Sequence, residues 1–193
     1  MADLDRQAID NLMDTTKENV AYINDISDKV VKSYTGLLDD LMRDIYNDVV
    51  MKPNASDAVL EQAFLKLTNT LYFMGEKLEK LGLHDDISKA QFKEAYNKAY
   101  LEAQTSGALS SNKPTVAMLT IAAENGSVNE TVVNAIYARS YKIFKFKVDS
   151  GFEMVKTLSK IISKRMTENQ LQDTPNSFKK ILNEDVTTGE DVF

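Results

Sequence analysis

The sequence predicts an all-α fold: an elongated helical bundle with two long helices, one N-terminal and one C-terminal, and shorter helices between them. Two observations predict it. Seven Gly and three Pro in 193 residues leave little punctuation for a β-rich chain, which must turn often. Apolar residues also recur at steps of three or four over long stretches, the pattern of a helix that buries one face.

The first stretch runs from about Glu18 to Met51, with Ile23, Ile26, Val30, Tyr34, Leu37, Leu41, Ile45 and Val49 as its seam. Pro53 ends it, because the residue before a proline is biased away from helical angles. Ser56 then offers an N-cap for a second helix striped by Leu60, Ala63, Phe64, Leu67, Leu71, Met74 and Leu78. Gly82 is expected to close that helix. Ser88 and Gln91 read as a capping box for a third helix, which carries Phe92, Ala95, Tyr96, Ala99 and Tyr100 to about Gln104.

"TSGALSSNK" is the expected internal loop. Pro114 suits the first turn of a short fourth helix that Gly126 follows. Ser127 and Glu130 form a second capping box, opening the longest helix, to about Asn169. The chain thus divides into an N-terminal extension over 1–17, a helical domain over 18–169 and an acidic C-terminal tail over 170–193.

Composition excludes several classes of chemistry. There is no Cys, so disulfide frameworks, thiolate metal sites and cysteine nucleophiles are ruled out. His84 is the only histidine, too few for a histidine-rich metal centre. Asp85 and Asp86 beside it read as helix-start acids. Asp39, Asp40, Asp44 and Asp48 fall on neighbouring turns and read as a charged, solvated face rather than a divalent-cation site. No phosphate-cradling loop or dinucleotide fingerprint occurs, so neither an enzyme nor a cofactor is expected. The start, "MADLDRQAIDNLMD", lacks a charged-then-apolar leader, and no apolar run approaches the ~20 residues that span a bilayer. The expected location is the cytoplasm (the host's, if a phage encodes the chain), with no membrane partner.

Net charge is −6, but it is unevenly spread. Residues 1–85 hold nine basic and sixteen acidic groups, whereas 139–166 hold eight basic and only two acidic. Local fields govern what a surface binds. In the last helix Tyr137, Tyr141, Phe144, Val148, Gly151, Val155, Leu158 and Ile162 are spaced 4-3-4-3-4-3-4, a heptad seam. Glycine on that seam costs ~1 kcal/mol relative to alanine, so close approach of another helix is its expected use. The seam packs either within the chain or between subunits; as a subunit contact it would run through Tyr141, Phe144, Val148, Gly151, Val155, Leu158 and Ile162 of a homo-oligomer.

Opposite the seam, Lys142, Lys145, Lys156, Lys160 and Lys164 fall within about 120° of one another. Arg139 and Arg165 extend the run, and Asp149 and Glu153 interrupt it. This face is either merely solvated or a track for single-stranded DNA, which rewards clustered cations through counterion release. Tyr137, Tyr141 and Phe146 lie near enough to stack on bases, although Tyr141 and Phe144 suit the core. The chain ends Glu190, Asp191, Val192, Phe193; acidic tails with a final aromatic resemble those of bacterial and phage single-stranded-DNA-binding proteins. Such a tail either docks a replication or recombination protein or is a solvated end.

The aromatic-basic helix "RSYKIFKFKVDSGFEMVKTLSKIISKR", after faces such as "FKEAYNKAY", resembles the recombination mediators of T-even-type phages, the UvsY family. The likeness covers about residues 70–166. It implies a small helical protein that oligomerises, binds single-stranded DNA and helps load a recombinase. The acidic N-terminal helix departs from the family's pattern. A structural or assembly protein of a phage particle is the alternative expectation.

Overall fold

A computed structural model describes the backbone of residues 2–52, 54–105 and 114–187, and the side chains of 13–52, 54–105 and 114–171. The described residues form four α-helices and no strand: α1 (Ala2–Ile45), α2 (Asp57–Thr105), α3 (Val116–Gly126) and α4 (Val128–Thr187). A π-helical turn, Tyr46–Val50, follows α1. At ~1.5 Å per residue α4 is about 90 Å long and α2 about 74 Å, so the bundle is elongated.

Cross-helix contacts set the directions. Ser27 Oγ donates to Ile136 O at 3.3 Å, and Lys147 Nζ lies 2.6 Å from Asp39 Oδ2, so α1 and α4 run parallel. Arg165 of α4 instead meets Ala55 and Asp57 at the start of α2, while Ser88, about two-thirds of the way along α2, lies 3.3 Å from Asn134 Oδ1 near the start of α4. α2 is therefore antiparallel to both. The core between them holds Leu38, Ile45, Leu60, Leu67, Leu71, Met74, Leu81, Phe144, Val148 and Leu158. Each such side chain contributes about 1.5–3 kcal/mol on full burial.

The expected break between a second and third helix is absent, because α2 is continuous through "GLHDDIS". The stripe Leu81, Asp85, Ser88 keeps the inward spacing, and polar groups occupy two of its positions. Asp85 Oδ2 takes a 2.5 Å contact from Lys89, and Ser88 Oγ donates to Asp85 O at 2.8 Å. Ser88 is thus a buried interior residue, not a cap, and Asp85 does not start a helix. Asp85 Oδ1 is buried without a hydrogen-bond partner. Gly82 does not terminate the helix either; a Cβ there would stand 3.2 Å from Tyr141 Cε2, so glycine admits the tyrosine ring. The expected shorter helices between two long ones are therefore one long helix and α3.

Other boundaries differ less. Ser56 caps α2 as expected, accepting from Val59 N at 3.4 Å. Thr115 caps α3, accepting from Met118 N at 3.4 Å, so Pro114 stands before the cap and not in the first turn as expected. α4 opens after Ser127, but the Ser127 hydroxyl donates back to Ala123 O at 2.8 Å instead of completing a box with Glu130. α1 begins at Ala2, well before Glu18, and α4 continues past Asn169 to Thr187. Met13 and Val20 lie on the same line of α1 as Val31 and Leu38, yet are exposed where the latter are buried. Residues 106–113, most of the expected loop, lie outside the described residues, as does the tail segment Glu190, Asp191, Val192 and Phe193.

The seam of α4 is used inside the chain. Phe144, Val148, Gly151 and Leu158 are buried, and Tyr141, Val155 and Ile162 pack against the same core. Tyr34 of α1 stacks on Phe144 with ring centroids 5.9 Å apart. A Cβ on Gly151 would come within 2.7 Å of Leu71 Cδ2, so the glycine lets α2 and α4 close on each other. A subunit contact along this seam has no room, because α1 and α2 already cover it.

Candidate nucleic-acid interface

With the seam turned inward, the opposite side of α4 faces outward over its whole packed length. Lys142, Lys145, Lys156, Lys160 and Lys164 are exposed there, and Arg139 is exposed beside them. From Arg139 to Lys164 the track is about 38 Å long at helical rise.

The seven expected cations fall into three groups. Arg139, Lys142, Lys145 and Lys160 form no ion pair with a carboxylate among the described residues. Lys156 Nζ lies 2.6 Å from Glu153 Oε1 and Lys164 Nζ 3.7 Å from Glu168 Oε1, each within one turn. Such exposed pairs are worth ~0–1 kcal/mol and exchange readily for another anion. Arg165 is different, being only 28% exposed. Its Nη1 donates to Ala55 O and lies 3.0 Å from Asp57 Oδ1, fastening α4 to the start of α2. Arg165 thus leaves the outward set for a structural role.

Aromatic rings share the track. Phe146 is 71% exposed, one turn from Lys142 and next to Lys145. Phe152 is 48% exposed, one turn before Lys156. Large rings left in water beside cations suit base stacking, which every base permits because each has a π-face. Tyr137 and Tyr141, the other expected stackers, are turned toward α2. Tyr137 stacks on His84 with centroids 5.4 Å apart and planes 14° apart, and Tyr141 covers Gly82.

Phe152 escaped the sequence reading although its angular position, at the margin of the lysine arc, carries the signal. Lys147 escaped it too. It lies on the buried side of α4, where Asp39 and Thr35 of α1 receive it. The rest of the aspartate run is solvated as expected: Asp40 of α1 pairs with Arg43 at 3.3 Å, and Asp48 of the π-helical turn with Lys52 at 2.8 Å. No grouping of three metal-ligating side chains occurs among the described residues. No helix among them is long and apolar enough to cross a membrane.

Comparison with known protein families, with characterised proteins and with solved structures gave no match to this chain.

Proposed function

We propose that this protein is a non-enzymatic nucleic-acid-binding accessory factor that takes single-stranded DNA along the outer face of α4. The observation that carries the reading is one surface: four exposed cations, unmatched by described carboxylates, interleaved with exposed Phe146 and Phe152. Arg139, Lys142, Lys145 and Lys160 contact phosphates, Lys156 and Lys164 join by releasing their one-turn glutamates, and the two rings stack on bases. The face offers cations for phosphates and rings for base faces, so most of the affinity is independent of sequence. A role beside the replication or recombination machinery follows from the resemblance to phage recombination mediators, with Glu190 to Phe193 as the handle for a protein of that machinery.

A second reading, an oligomeric structural or assembly protein of a phage particle, draws on the exposed apolar residues of α2, among them Leu65, Tyr72 and Leu83. A labelled single-stranded oligonucleotide separates the two. The native chain binds it at low salt, and changing Lys142, Lys145 and Lys160 together to Glu weakens binding by at least about tenfold. A native chain that fails to bind at low salt overturns the first reading and leaves the second.

A further inference from the structure

α2 is apolar on two sides. Its inner face, Leu60, Leu67, Leu71, Met74 and Leu81, fills the core. Its outer face should be polar, yet Leu65, Tyr72, Phe73, Leu83 and Ile87 are all exposed, Tyr72 by 78%. At 100° per residue Leu65, Tyr72, Leu83 and Ile87 fall within about 60° of one another, diametrically away from the core stripe. The Phe73 ring borders them, edge-on to Tyr72 at 5.3 Å. Single exposed leucines are ordinary, but a line of large side chains some 33 Å long marks an interaction surface.

The charges beside this line identify its occupant. Glu61, Glu79 and Asp86 lie along one edge, and Lys66, Lys77 and Lys80 along the other. Glu76 falls within the line, but Lys80 Nζ holds its carboxylate 2.6 Å away toward the basic edge. Two such helices placed side by side and parallel bring the acidic edge of each against the basic edge of its partner. Placed antiparallel, they set acid against acid and lysine against lysine. The surface is therefore complementary to itself in one orientation only.

We propose that two copies of this chain pair in parallel through the outer faces of their α2 helices, about a two-fold axis along the helices. Leu65, Tyr72, Leu83 and Ile87 form the apolar centre, and the acidic and basic edges cross over to pair. The arrangement is isologous, so it closes as a dimer and does not propagate. α4 lies behind α2 as seen from this face, so pairing leaves Arg139 to Lys164 uncovered. The proposal does not depend on what α4 binds.

Light scattering on the full chain tests it, with twice the 21.7 kDa chain mass as the expected result. Tyr72→Glu with Leu83→Glu converts the dimer to monomer, and helicity by circular dichroism stays unchanged because neither side chain is buried. Orientation is read by cross-linking, which the absence of cysteine makes clean. Leu65→Cys and Leu83→Cys, each alone, form self-disulfides in a parallel pair. A monomeric native chain, a dimer that survives the double substitution, or a Leu65→Cys/Leu83→Cys mixture linking only with each other overturns the proposal. The monomeric double variant keeps its per-chain oligonucleotide affinity, since the two surfaces share no residue; failure of pairing and failure of DNA binding are thereby told apart.

Discussion

Lys147 Nζ of α4 lies 2.6 Å from Asp39 Oδ2 of α1, with Thr35 Oγ1 3.2 Å away on the same helix. The acidic N-terminal helix thus neutralises a lysine on the inner side of α4, and among the described residues none of its carboxylates pairs with the outer lysines. The pair is about one-third exposed on each side, at 31% and 34%, between a surface and a buried bridge. Lys147→Met is expected to cost about 1–2 kcal/mol in urea unfolding, mostly by leaving Asp39 unpaired. Adding Asp39→Asn should recover part of that loss, and oligonucleotide affinity should not change with either. A loss of affinity on Lys147→Met would place this lysine on the binding face instead.

Two glycines in mid-helix predict opposite outcomes. Nothing lies within 4 Å of a Cβ placed on exposed Gly75, so Gly75→Ala gains about 1 kcal/mol of helix propensity. At Gly151 the same gain is offset by overpacking of about 1–3 kcal/mol, because Leu71 Cδ2 stands 2.7 Å from the new methyl. Thermal unfolding of both variants checks this. Equal stabilisation would mean that α2 and α4 are not in close contact at Gly151.

Phe144 and Phe146 are two residues apart and face opposite ways. Phe144 is fully buried, so Phe144→Ala should cost about 3–5 kcal/mol of stability. Phe146→Ala should leave stability nearly unchanged but weaken oligonucleotide binding by about 1–3 kcal/mol, and Phe152→Ala should behave alike. Unfolding curves and a binding titration on the three variants separate the roles. Undiminished affinity in the last two would remove stacking from the account.

The helical fold and the inward seam of α4 were legible because large apolar residues mark them at regular steps. Leu60, Leu67, Leu71 and Met74 lie where periodicity puts them. What periodicity misses is polar residues on the buried side. Ser27 and Thr35 are fully buried in α1 and engage Ile136 O and the Asp39–Lys147 pair, so the buried line passes through them while Leu37, on the expected seam, is exposed. Asp85 and Ser88 likewise made a continuous helix look broken. Gly82 read as a stop because a glycine that admits a ring from another helix looks the same in sequence as one that ends a helix. The second apolar face of α2 was hidden by the first, since one stripe already explained the leucines.

The salt dependence of single-stranded oligonucleotide binding tests the central claim most directly: that the outer cations of α4 are available to phosphates. The four unpaired cations, Arg139, Lys142, Lys145 and Lys160, predict a slope of at least about −3 for log affinity against log salt, and Lys156 and Lys164 steepen it toward about −4. Affinity should then fall roughly fifty-fold or more between about 50 and 200 mM salt, and each charge removed should flatten the slope by about 0.7. A slope near zero, or one that Lys142→Glu, Lys145→Glu and Lys160→Glu leave unchanged, would contradict it.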